Sequence, residues 1–160
     1  MHTHVVGKRG LEMLMWADRL LPADEMYRSP YESSRNGTHV AITELPTDII
    51  LCDWHYVPRR SYPSLDYLMD RGFRVWPSTW QNLQSAERFI QAARRAAQPR
   101  MLGMMFTTWT SGPGAWGLFR LLWPGTHRTD ASKSNRKVEA VLRKVMPGLA
   151  PEAPYWTLDQ

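Results

Sequence analysis

The sequence predicts an α/β fold: a parallel sheet of about four βα units, a partial (β/α)8 barrel equivalent to half of one. Three observations predict it. Apolar, strand-like runs alternate with helical patterns along the chain, which is the signature of βαβ crossovers. The crossovers are short and regular, as in a barrel. Only four such runs are visible in 160 residues, whereas a closed barrel takes eight strands and typically about 250 residues. The domain is expected over residues 1–146, followed by an irregular tail over 147–160 that carries three prolines.

The elements follow in order. Lys8-Arg9-Gly10 reads as a helix C-terminus, with basic residues in the last turn and glycine after it. Residues 11–16 are almost wholly apolar, as a strand buried on both faces would be. Residues 21–44 hold Pro22, Pro30, Ser33, Ser34, Asn36 and Gly37, and a connection that long is usually functional or disordered. Pro46 and Asp48 introduce a second strand over 49–54; Pro63 opens a helix over 64–70 and Gly72 closes it. A short third strand covers 73–76. The clearest helix runs over 82–97, with Leu83, Ala86, Phe89, Ile90 and Ala93 on one face and Pro99 after it. A fourth strand covers 101–108, and Gly112-Pro113-Gly114 turns the chain into a helical segment over 115–123, whose Trp116 and Trp123 are packing residues. Ser132 can cap a last helix over 133–146, where Val138, Val141, Leu142 and Val145 form a stripe.

Composition narrows the function. At 43% hydrophobic and 22% charged, the chain can bury a real core. The net charge of +5 permits anionic partners, but the basic residues are dispersed over helical patterns, so no nucleic-acid partner is expected. No run of 18 apolar residues predicts a membrane span, and the first ten residues lack the apolar core of a secretory signal. A cytoplasmic location is expected for the chain as it stands, although a longer parent could be secreted. Cys52 is the single cysteine and reads as a buried structural thiol. No metal site or cofactor is expected: His39, His55 and His127 are isolated, His2 and His4 sit at a mobile terminus, and no phosphate-binding or nucleophile-elbow motif occurs.

The chemistry concentrates where the apolar runs end. Each run ends in a tryptophan among polar residues: Trp16, Trp54, Trp80 (with Trp76 before it) and Trp109. Strand ends are where α/β proteins build sites, and gathered indoles make a platform for the C–H face of a sugar. Asp53-Trp54-His55-Tyr56 is the densest polar group. Strand alternation sends Asp53 and His55 to one side, Trp54 and Tyr56 to the other. Carboxylates can bond sugar hydroxyls and a phenol can donate to an amide, yet Asp53 could equally serve loop amides. Trp16-Ala17-Asp18 repeats the theme, with an ion pair from Asp18 to Arg19 or Arg59 as its structural alternative.

These residues resemble the C-terminal half of the catalytic barrel of glycoside hydrolase family 20, the β-N-acetylhexosaminidases. Trp16-Ala17-Asp18 is similar to the family's fifth-strand region. Leu-Pro-Thr-Asp-Ile-Ile-Leu-Cys-Asp-Trp-His-Tyr (45–56) resembles the following strand, whose Asp and Tyr contact the substrate's N-acetyl group; Asp53 and Tyr56 stand there. Gly-Phe-Arg-Val-Trp-Pro-Ser-Thr-Trp (72–80) resembles the next strand. Leu-Gly-Met-Met-Phe-Thr-Thr-Trp-Thr (102–110) resembles the last, with Trp109 as its pocket tryptophan. The likeness spans about residues 8–125. It implies a terminal N-acetylhexosamine held by Trp16, Asp18, Trp54, His55, Trp76, Trp80 and Trp109, with Asp53 and Tyr56 orienting the acetamide for substrate-assisted cleavage. The family's general acid belongs to an Asp-Glu pair after a strand that would precede Met1. The one such pair here, Asp24-Glu25, falls in the loop after Trp16 and does not inherit the role. Thr110-Ser111 stands where many members continue to a sugar-binding Glu. The expectation is therefore sugar binding with weak or absent hydrolysis. The alternative is a non-catalytic carbohydrate-binding or oligomerising half-barrel, paired with another copy or with a missing N-terminal half.

Overall fold

The structure, a computed structural model, describes residues 1–26, 29, 31–96, 98–109 and 132–149. Strands β1 (Leu14–Trp16), β2 (Ile50–Cys52), β3 (Arg74–Val75), β4 (Ser78–Thr79) and β5 (Met105–Phe106) pair in parallel, in two small sheets ordered β1-β2-β3 and β4-β5. Helices α1 (Pro63–Asp70), α2 (Leu83–Arg95) and α3 (Lys133–Leu149) follow β2, β4 and β5. The fold is mixed α/β with short parallel strands.

Two predicted strands are each divided, for identifiable reasons. Pro77 separates β3 from β4; it has no N–H for the ladder, and its carbonyl accepts from Met105 N at 2.7 Å. The run over 101–108 bridges Val75 at Met101, breaks at Gly103 (φ +95°) and resumes as β5. Ladder-type bonds still join the two sheets: Ser78 N to Asp53 O at 2.6 Å, His55 N to Ser78 O at 3.1 Å, and Leu102 N to Val75 O at 3.0 Å.

The core lies between the strands and α1 and α2. Met13, Met15, Leu51, Phe73 and Val75 meet Leu65, Leu68, Met69 and Phe89 there. Tyr62 stacks on Phe89 at 4.4 Å between ring centroids. By alternation, Leu14, Trp16, Trp54, Tyr56 and Trp76 point away from this layer. One expectation is corrected here. The first run is not buried on both faces: Leu14 is 45% and Trp16 39% exposed. Among the described residues β1 pairs with β2 alone, at the end of its sheet, and Met13 and Met15 are the residues of this run that meet the core.

Local signals decide the helix ends. Asn82 caps α2 by accepting from Ser85 N at 3.0 Å, and Ser132 caps α3 by accepting from Asn135 N at 3.1 Å. The faces predicted for both helices are the buried ones, with Ala86 and Ile90 of α2 against Val141 and Val145 of α3. Helix α3 runs to Leu149, past the predicted end at Met146. The helix predicted over 115–123, with Trp116 and Trp123, lies outside the described residues, as does the tail beyond Leu149. At the other end, a π-helix (Thr3–Lys8) precedes Gly10, which takes φ +62° as a helix stop. The His2 ring meets Asp48 Oδ1 at 2.7 Å, tying the terminus that the sequence reading left mobile to the chain just before β2. The long 21–44 connection folds back on itself through Ser34 N to Leu21 O (2.7 Å) and Ala23 N to Ser34 O (3.0 Å), then forms a 3-10 helix (Thr38–Glu44). Among the described residues, no helix is long and apolar enough to cross a membrane.

Candidate functional site

The C-terminal ends of successive strands bring five aromatic side chains together. Tyr56 is the hub: its ring lies 4.7 Å from Trp54, 5.6 Å from Trp80 and 6.5 Å from Trp109, centroid to centroid. Trp109 in turn approaches Trp16 at 5.8 Å. The rings tilt against one another rather than stacking flat, the usual preference of ring quadrupoles.

Polar bonds fix the hub. Thr107 Oγ1 lies 2.8 Å from Thr79 O and 3.0 Å from the Tyr56 hydroxyl. A carbonyl only accepts, so the single Thr107 hydrogen goes to Thr79. The Tyr56 O–H therefore donates to Thr107, and its oxygen accepts from Trp109 Nε1 at 2.7 Å. The result is a directed chain, Trp109 to Tyr56 to Thr107 to Thr79. Burial pushes the Tyr56 phenol above its ordinary range, and the bond it accepts from Trp109 offsets that only in part, so it stays neutral. Trp109 holds φ +47°, a left-handed conformation that costs a bulky residue on the order of 1 kcal/mol or more.

Asp53 and His55 face the other way, into a buried network. Asp53 Oδ2 accepts from Ser64 Oγ of α1 at 2.5 Å, and Asp53 Oδ1 meets His55 Nε2 at 3.2 Å. His55 Nδ1 meets Glu32 Oε2 at 3.1 Å, and the same Glu32 oxygen accepts from Arg59 at 2.5 Å. His55 and Ser64 are fully buried, Asp53 and Glu32 almost so. Burial is the largest single influence on His55 and opposes its charge. The Asp53 charge and the hydrogen bonds to Asp53 and Glu32 together outweigh it and raise the pKa to about 9. The four charges then balance, two carboxylates against imidazolium and guanidinium. That balance makes their shared burial tolerable.

Ser64, His55 and Glu32 have the spacing of a nucleophile, base and orienting acid, with Ser64 Oγ 3.2 Å from His55 Nε2. Their chemistry differs. A doubly protonated imidazole cannot take the serine proton, Ser64 already donates to Asp53, and no substrate reaches a fully buried hydroxyl. Cys52 is similarly inert: burial raises its thiol pKa to about 11.

Of the residues singled out from sequence, Trp16, Trp54, Tyr56, Trp80 and Trp109 come together. Asp53 and His55 lie apart from them in the buried network. Trp76 is half-buried and joins none of these ring pairs. Asp18 is bonded to Arg19 Nε at 2.6 Å, the ion pair that was its structural alternative. Sequence reading missed Glu32, Arg59, Ser64 and Thr107. Thr107 carried a signal, since it shares a strand face with Trp109 two residues on; Glu32, in an irregular loop, carried none. Among the described residues, no group of three or more His, Cys, Asp or Glu side chains could hold a metal ion. Neither known protein-family models nor curated proteins give a match to this chain.

Proposed function

We propose that this chain is a partial (β/α)8 barrel of the β-N-acetylhexosaminidase type, about four βα units, whose aromatic cluster receives a terminal N-acetylhexosamine. The observation that supports it most is the convergence of Trp54, Trp80 and Trp109 on Tyr56, with Trp16 against Trp109, from four strand exits. Strands in sequence order, bonded side by side in parallel with helices on one face, support the barrel reading. A ring cluster with one hydroxyl at its centre suits a ligand with an apolar C–H face and one amide. The Tyr56 O–H can turn from Thr107 to the acetamide carbonyl at small cost, because Thr107 keeps its own bond to Thr79. Asp53 and His55 act behind the site, holding the strand exit to α1 and to the 32–34 segment.

The proposal is for binding, with weak or absent hydrolysis. Calorimetric titration with N-acetylglucosamine tests it: saturable heat that Tyr56→Phe weakens supports the reading, and heat no greater than glucose gives sinks it. Rapid turnover of an aryl N-acetyl-β-glucosaminide by the purified chain would overturn the non-catalytic part.

A second reading rests on β1. A strand edge unpaired among the described residues, beside exposed Leu14 and Trp16, is the kind of surface that pairs with other chains. In that reading the chain self-associates, or joins an N-terminal half-barrel, through this edge. Sedimentation at high concentration separates the two, since a persistent monomer argues against self-association.

A further inference from the structure

Tyr56 and Trp80 have second faces. Both line a groove of about 610 Å³ between the start of α2 and Lys137, Ala140 and Val141 of α3. That volume falls within the roughly 300–1,000 Å³ typical of small-molecule sites. The same two residues belong to the aromatic cluster, so the groove adjoins the site described above.

Gln81, Asn82, Gln84 and Lys137 are polar residues of its lining. Asn82 Oδ1 accepts from Ser85 N at 3.0 Å, which leaves the Asn82 amide NH₂ unengaged. Gln81 Oε1 accepts from Ser134 Oγ at 2.8 Å, which leaves the Gln81 NH₂ unengaged. Among the described residues, Lys137 is the charged residue of the lining, it pairs with no carboxylate, and no Asp or Glu lines the groove. Amide side chains and an ammonium thus line the groove together with two aromatic rings. Such a lining fits a ring-shaped ligand rich in acceptors and negatively charged.

We propose that this groove is a second saccharide subsite and that it takes an acidic sugar, its carboxylate facing Lys137 and the amides of Gln81 and Asn82. The inference rests on the N-acetylhexosamine reading and names the kind of glycan: a terminal N-acetylhexosamine linked to an anionic sugar.

Calorimetry on the full chain tests it with three probes: N-acetylglucosamine, the neutral disaccharide diacetylchitobiose, and N-acetylglucosamine linked to glucuronic acid. The acidic disaccharide is expected to bind about three- to fivefold tighter than the neutral one at low salt, the scale of one partly exposed ion pair. High salt should shrink that ratio. Lys137→Gln should bring it to about one, and Lys144→Gln, on the same helix but not in the groove, should leave it unchanged. If N-acetylglucosamine binds but the two disaccharides bind equally, or Lys137→Gln preserves the preference, the acidic subsite is wrong and the first reading survives. If none of the three binds, both fail.

Discussion

The buried His55 network makes a quantitative prediction about stability and pH. In the folded chain the imidazole has its pKa raised from 6.5 to about 9. The folded state thus holds the His55 proton more tightly than the unfolded one. Its stabilising contribution is complete below about pH 6.5 and is lost as pH rises through about 9. At about 1.4 kcal/mol per unit, that gap sets an upper figure of about 3.5 kcal/mol. That is a large fraction of a domain's total stability of about 5–15 kcal/mol. The assay is urea denaturation at closely spaced pH values, in constant low salt. Cys52 acts with the same sign, from its ordinary 9.0 upward to about 11, so the comparison belongs below pH 8.5. The wild-type chain should lose one or more kcal/mol across that range, on the order set by linkage. His55→Gln should start lower, because Asp53 and Glu32 lose the cation between them, and should show little slope. Heteronuclear NMR of the wild-type imidazole provides an independent reading: both ring nitrogens should stay protonated at pH 7.5. A flat wild-type profile with a neutral imidazole would refute the reasoning.

Three further outcomes follow from the same structure. Trp109→Gly should be more stable than Trp109→Ala by about 1 kcal/mol, because glycine accepts φ +47° without strain; paired thermal melts check this. Cys52 should react with a disulfide reagent at pH 8 only after urea unfolds the chain, since its thiol is buried with a pKa near 11; rapid labelling of the native chain would contradict this. Phe89→Ala should cost about 3–5 kcal/mol, the usual result of emptying a fully buried aromatic position, here beneath both Tyr62 and His55; denaturant midpoints measure it.

Much of this was legible in the sequence, for physical reasons. The amphipathic face of α2 and the capping side chains Asn82 and Ser132 are local features, and local chemistry decides helix ends. Strand alternation alone separated Trp54 and Tyr56 from Asp53 and His55. What alternation cannot tell is which side holds a ligand and which holds the core. Asp53 read equally well as a sugar contact or a structural acceptor until Ser64, nine residues beyond His55, was found against it. Glu32 was invisible because its partners lie 23 and 27 residues away and no periodicity governs the loop that carries it. The breaks at Pro77 and Gly103 are legible from residue type, since proline lacks the ladder N–H and glycine accepts φ +95°. Exposure of β1 was not, since an edge strand and a central strand of a parallel sheet share the same apolar run.

The central claim is that the strand-end aromatics form one sugar-binding cluster. Its most direct test is an NMR titration of the indole N–H signals of the eight tryptophans with N-acetylglucosamine, and with glucose as control. Expected are saturable shifts at Trp16, Trp54, Trp80 and Trp109, with Trp109 largest because its N–H bonds the Tyr56 hydroxyl. Indole signals unmoved at saturating sugar, or shifted equally by glucose, would contradict it.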